Sequence, residues 1–240
     1  MTVSGRPTKS DAHPAKITLR GVFYGIRDIA PIAVLVVPLA IAFGVAATQQ
    51  GLSPWMAMLM SLLVCAGASQ FAAVDLWVSP LPVLLILMIT LAINARHLIY
   101  GAAIYPWLSP LPPAQRYAIL ALLTDASWAY AMDARQRHSN DVGVLIGASL
   151  LLWATWTAAT FGGALFGTGI GNPKTYGLDV LMVVFFSSSL VMMWRGRDDL
   201  KPWLAATVGS LLAMWLLPSG WYIIIGALAG GVTGVLTDDA

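Results

Sequence analysis

From Ile29 to Thr48 the chain runs for 20 residues without a charged side chain. About 20 such residues form a helix long enough to cross a hydrocarbon layer roughly 30 Å thick. Similar apolar stretches recur to the end of the chain, at 55–77, 82–104, 117–132, 142–166, 178–194, 203–217 and 220–236. Turn formers separate them: Gly51-Leu52-Ser53-Pro54, Ser79-Pro80-Leu81-Pro82, Ser109-Pro110-Leu111-Pro112-Pro113 and Pro218-Ser219-Gly220. The runs are continuous and lack the period-two alternation of a membrane barrel. Only 10% of the 240 residues are charged, and all 11 acids are Asp. That is too few to coat a water-soluble globule, whose charged share is about 25%. The pattern predicts an all-α integral membrane protein of about eight transmembrane helices, seven to eight. The short fourth and seventh stretches and the interrupted third are candidates for broken or re-entrant helices.

The division along the chain is simple. Residues 1–27 read as a disordered basic tail with an amphipathic segment leading into the first span. Residues 28–237 read as one polytopic transmembrane domain. The first apolar run is too long for a cleaved leader, so it is read as a retained span. With the N-terminus in the cytoplasm, loops on that side hold Arg6, Lys9, Lys16, Arg20, Arg27, Arg135, Arg137, Arg195, Arg197 and Lys201, ten of the 13 basic residues. Arg116 and Lys174 fall on the other side, and Arg96 lies inside a span. An even span count then places both ends in the cytoplasm.

Polar residues inside the apolar stretches mark the candidate site. A charge at mid-depth costs about 2.5–3.5 kcal/mol on insertion scales, so it needs a partner or a wet cavity. The third stretch carries Asn94-Ala95-Arg96-His97 between apolar flanks. Thr90, Asn94, His97 and Gly101 share one helical stripe, and Arg96 lies off it. Either the helix is unwound there, or Arg96 meets a second partner. Arg96 could hold a substrate carboxylate, or pair with an Asp only to join helices. The second stretch carries Gly67-Ala68-Ser69-Gln70, where small residues permit close packing or a break that exposes helix N–H groups to an anion. Asp125, between Thr124 and Ser127, is the candidate buried acid, for an ion pair with Arg96 or His97 or for a proton. Gly226, Gly230 and Gly234 form a helix-interface face, for internal packing or for a partner subunit. Asp179 reads as an N-cap at the outer boundary.

Composition and motifs exclude several classes. The net charge of +2 gives no argument for nucleic acid. One cysteine, Cys65, excludes a disulfide framework, and no metal site or cofactor motif is present. His13 and His138 sit in polar segments. Three readings stand: a secondary transporter, a non-transporting scaffold or assembly subunit, and an intramembrane enzyme using His97 and Asp125. The last lacks any nucleophile motif.

Gly67-Ala68-Ser69-Gln70-Phe71-Ala72, Asn94-Ala95-Arg96-His97-Leu98-Ile99-Tyr100, Leu123-Thr124-Asp125 and Gly177-Leu178-Asp179 occur in this order, after Gly25-Ile26-Arg27-Asp28. In these motifs the chain resembles the AzlC family, the large subunit of bacterial branched-chain amino acid exporters, from about residue 20 onward. Ala126 stands where family members often carry Glu. The resemblance implies a multi-pass inner-membrane carrier that exports Val, Leu, Ile and Met together with a small AzlD-like membrane subunit. On that expectation Gly67, Ser69, Gln70, Asn94 and Arg96 bind substrate. His97 and Asp125 form an ion pair or couple transport to protons, as in an antiporter.

Overall fold

The computed structural model describes residues 15–138, 141–167, 196–218 and 220–238, with isolated positions between 180 and 194. The tail with His13, the loop with Lys174 and Asp179, and most of the sixth apolar stretch lie outside the described residues. So do the side chains of Arg137 and His138. Among the described residues regular structure is helical: α1 Leu19–Gln49, α2 Pro54–Val64, α3 Gly67–Asp75, α4 Val83–Asn94, α5 Arg96–Leu108, α6 Pro113–Ala121, α7 Asp125–His138, α8 Gly143–Gly167, α9 Leu200–Leu216 and α10 Trp221–Asp238. A 3-10 turn, Arg197–Asp199, leads into α9.

The expected seven to eight spans are not found among the described residues. Among the described residues three helices are long and apolar enough to cross a membrane: Leu19–Gln49, Val83–Leu108 and Gly143–Gly167. The reason is breakage that hydropathy does not register. The second stretch stops at Val64 and restarts at Gly67, leaving helices of 11 and 9 residues. At 1.5 Å per residue these reach only about 16 and 14 Å. The fourth splits at Leu122–Thr124 into α6 and α7, of 9 and 14 residues. The apolar parts of α9 and α10, Leu200–Leu216 and Trp221–Thr237, are 17 residues each, about 26 Å. The third stretch departs from expectation the other way. Ala95 keeps helical angles (φ −54°, ψ −29°), so the helix is not unwound at Arg96.

Two compact units form. The first combines the chain up to Ile32 with Ile99–Leu152. In it α1 and α8 begin side by side and run parallel. Thr18 caps α1 by accepting the Gly21 N–H at 2.9 Å. The Asp141 carboxylate accepts from Thr18 N–H (3.2 Å), Thr18 Oγ1 (2.5 Å) and Gly143 N–H (2.9 Å). One acid thus serves two helix N-termini, where a negative charge is favoured. The two backbones then touch. A Cβ on Gly25 would lie 2.0 Å from Val144 O, and one on Gly147 2.0 Å from Val22 O. Below this seam Ile104, Trp107, Leu108, Leu111, Ile119, Leu123, Ala131, Val142 and Leu145 form the core, with Ala15 against it. Trp107 in this core is 3% exposed.

This packing also corrects a loop. Ala15, Leu111 and Val142 share one core, and Val142 N–H donates to Lys16 O at 2.8 Å. The turn before α6, with Arg116 close behind it, therefore lies at the same end as Lys16 and Asp141, not opposite. The helices α6 and α7 leave that end and return to it. The inference that both chain ends share a side rested on eight spans and falls with them.

The second unit combines Ala33–Leu98 with Trp153 onward. The α1–α8 contact has the same character here. A Cβ on Gly44 would meet Thr160 O at 2.2 Å, and one on Gly163 would meet Ile41 O at 2.3 Å. Phe43 is fully buried between Phe71 and Trp156, with centroids at 5.3 and 6.5 Å. The helices α9 and α10 make a hairpin, and Ile224 of α10 packs with Leu76 and Ile89.

Two outcomes follow. In a Cys65→Gly background, cysteines at Lys16 and Ser109 should react with an impermeant thiol reagent from the same side of the membrane; labelling from opposite sides contradicts the arrangement of α6 and α7. Gly147→Ala should lower thermal stability by about 1–3 kcal/mol through overpacking, while Gly162→Ala, whose Cβ meets nothing within 4 Å, should be nearly silent.

Candidate functional site

The break in the second apolar stretch is the point where chemistry gathers. Cys65 takes a left-handed conformation (φ 42°, ψ 39°) while its N–H still bonds Ser61 O. A non-glycine residue there is strained, and such strain concentrates at functional positions. After Ala66 the chain restarts as α3 at Gly67, with no side-chain cap on its first turn. Gly67 is required by a close approach: a Cβ would stand 2.8 Å from the Trp156 ring.

Gln70 is fully buried and fully employed. Its Nε2 donates to Ser61 Oγ at 2.9 Å, and its Oε1 accepts from Trp156 Nε1 at 2.9 Å. Ser61 Oγ in turn donates to Thr160 Oγ1 at 2.9 Å. Trp156, Gln70, Ser61 and Thr160 thus form one satisfied chain that ties α2 and α3 to α8. A buried amide so engaged holds helices at a fixed separation, since losing either partner leaves a polar group uncompensated.

Ser69, one residue earlier, faces α4. Its Oγ donates to Ala66 O at 3.0 Å and accepts from Asn94 Nδ2 at 3.2 Å. Because the Ser69 proton is committed to Ala66, Asn94 presents its nitrogen here, which fixes the amide orientation. Asn94 Oδ1 is buried and has no hydrogen-bond partner. One helical turn on, His97 Nδ1 lies 3.2 Å from Asn94 O, the geometry of an Nδ1–H donating to a carbonyl. Arg96 and His97, both half-buried, open α5. Gly67, Ser69, Gln70 and Asn94 are thus brought together at the break, with Gln70 turned to α8 and Ser69 to α4.

The remaining expected residues lie on other helices. Asp125 belongs to the other compact unit, at the first position of α7. Thr124 and Ser127 cap that helix reciprocally: Thr124 N–H donates to Ser127 Oγ (2.9 Å), and Ser127 N–H to Thr124 Oγ1 (3.2 Å). Gly226, Gly230 and Gly234 face α9, where added Cβ atoms would meet Ser210 Oγ (2.0 Å), Ala206 Cβ (3.0 Å) and Pro202 Cβ (3.9 Å). Sequence reasoning missed Ser61, Trp156 and Thr160, each a mild polar or aromatic residue in an apolar run. It also missed Thr18, Asp141 and the α1–α8 glycines. These last had a signal: Gly21/Gly25, Gly143/Gly147 and Gly163/Gly167 each repeat at four residues.

Gln70→Ala should cost about 1–3 kcal/mol in thermal unfolding by stranding Ser61 and Trp156. Trp156→Phe, which removes one donor and keeps the ring, should cost less.

The AzlC protein family model matches residues 31–170, which include the break and the Asn94–His97 segment. The inner membrane protein YgaZ of Escherichia coli is 30% identical over 226 residues, covering 89% of this chain and 87% of its own. An uncharacterized membrane protein of Archaeoglobus fulgidus is 32% identical over 172 residues, covering 71% of this chain and 72% of its own. The branched-chain amino acid transport protein AzlC of Bacillus subtilis is 28% identical over 201 residues, covering 83% and 77%. No solved structure matches the chain. With its family segment and its broken apolar helices, the chain is a member of the AzlC family and a multi-pass protein of the inner membrane.

Proposed function

We propose that this chain is the large subunit of a secondary transporter that exports branched-chain amino acids and methionine, and that the α2–α3 break is where the substrate binds. The observation that carries the reading is the Ser69–Asn94 pair beside the uncapped first turn of α3, with Asn94 Oδ1 left without a partner. A zwitterion needs a donor array for its carboxylate and an acceptor for its ammonium. Helix N–H groups supply the first, and the Asn94 carbonyl supplies the second. Arg96, two residues on, adds a planar guanidinium suited to a bidentate carboxylate contact. Gly67 lets the chain pass close to Trp156, and the apolar helices around it suit an aliphatic side chain. An apolar wall separates one methylene by only about 1–3 kcal/mol, so Val, Leu and Ile should compete with one another.

His97, held by the backbone carbonyl of Asn94, and Asp125, at a helix N-terminus, are the proposed proton carriers. A small AzlD-like membrane subunit is the proposed partner. Because the Gly226/Gly230/Gly234 face is filled by α9, that subunit would dock elsewhere. The Bacillus subtilis relative, named as a branched-chain amino acid transport protein, supports the substrate class. A scaffold role gives no reason for an unpartnered acceptor at mid-helix.

The test is leucine flux in proteoliposomes holding this chain and its small subunit. Arg96→Gln should fold normally and lose substrate binding. Arg96→Lys should fail as well, because a point charge lacks the fork. Normal leucine binding by stable Arg96→Gln removes Arg96 from the site.

A further inference from the structure

The first unit holds a cavity of about 280 Å³, lined by Ile17, Gln115, Ala118, Ile119, Leu122, Ile146 and Ser149, none of them among the residues proposed for transport. None of the seven side chains can carry a charge, so a zwitterionic amino acid has no counter-ion there. Five are aliphatic. The other telling feature is Ser149, 1% exposed, whose hydroxyl has no hydrogen-bond partner. A buried hydroxyl without a partner costs about 1–3 kcal/mol, which an occupant with an acceptor would recover. A bare hydrocarbon would not.

The rim has its own chemistry. Ile17 is 43% exposed, and Gln115 and Ala118 are exposed, so the cavity opens on the outer surface of the unit. Lys16, exposed, precedes Ile17, and Arg116 follows Gln115. Arg116 donates from one terminal nitrogen to Tyr105 Oη at 3.2 Å, while its Nε has no partner. Two cations beside an apolar cleft with an unpaired hydroxyl call for a molecule that is anionic at one end, aliphatic at the other, and carries an acceptor between them. In a membrane protein the abundant molecule of that description is an anionic glycerophospholipid.

We propose that this cleft is a lipid site: one acyl chain lies along Ala118, Ile119, Leu122 and Ile146, its ester carbonyl accepts from Ser149, and its phosphate sits at the rim near Lys16 and Arg116. The inference is independent of what the protein transports. Lipid binding here braces α6 against α8 at the end where Asp141 joins α1 to α8.

The experiment is native mass spectrometry of the purified chain after exchange into detergent micelles doped with defined lipids. Wild type should retain one phosphatidylglycerol in preference to phosphatidylcholine. The ether-linked phosphatidylglycerol, which lacks the carbonyls, should be retained less well by roughly tenfold, the worth of one hydrogen bond. Ser149→Ala should erase the ester-over-ether preference while leaving the protein folded. Ala118→Trp, at an exposed lining position, should block retention of both. Lys16→Gln with Arg116→Gln should erase the preference for the anionic head. Retention by Ala118→Trp equal to wild type would overturn the site. An unchanged ester preference in Ser149→Ala would overturn the role of the hydroxyl, and no retained lipid in wild type would overturn the proposal outright.

Discussion

The close parallel contact of α1 and α8 is the constraint from which the rest of the structure follows. Helices in lipid gain little from burying apolar surface, because the tails around them are equally apolar. They associate by fitting closely and by satisfying polar groups. Here both devices act on one pair. Glycines at 25 and 147, and again at 44 and 163, remove the Cβ atoms that would hold the backbones apart. Asp141 then ties the two helix N-termini, neutralising N–H groups that lipid could not serve. Each unit contains part of α1 and part of α8.

The broken helix depends on that frame. A backbone break at depth exposes polar groups that water cannot reach, and it is tolerated only where protein groups replace the water. Gln70 does this at the α2–α3 break by bonding Ser61 at the end of α2 and Trp156 on α8. Its neighbours divide the labour. Both polar atoms of Gln70 have protein partners. Asn94 is half used, with one end on Ser69 and its carbonyl oxygen buried and unpaired. In a low-dielectric setting the saturated group fixes geometry, and the unsaturated one is the natural place for a ligand. On the proposed reading, the same short segment provides both the hinge and the recognition.

Several of these features were legible in the sequence. The apolar runs identified an all-helical membrane chain, and the motifs around Ser69, Asn94 and His97 pointed to the family. Residues 67, 69, 70 and 94 do come together. The span count was not legible, because hydropathy averages over a window and cannot register that Cys65 leaves the helix or that Leu122–Thr124 interrupt a run. The first break is held by Trp156 from far along the chain together with Ser61, and the second by the local Thr124–Ser127 cap. The side of Arg116 was misread for the same cause, since an assumed crossing placed it. Gln70 enters the expected site through the resemblance, and the sequence cannot say that its amide meets Ser61 and Trp156. The glycine repeats of α1 and α8 are visible in the sequence, but nothing there separates them from Gly226, Gly230 and Gly234, which pack against α9.

The central claim is that the unpaired carbonyl of Asn94 at the α2–α3 break receives the substrate ammonium. Leucine binding to the purified protein, measured by calorimetry for wild type and for Asn94→Leu, tests it most directly. Leu keeps the volume and removes both the acceptor and the bond to Ser69. The account predicts that Asn94→Leu remains folded, with Gln70 and its partners intact, and shows no measurable leucine binding. Leucine binding at wild-type affinity by folded Asn94→Leu would contradict it.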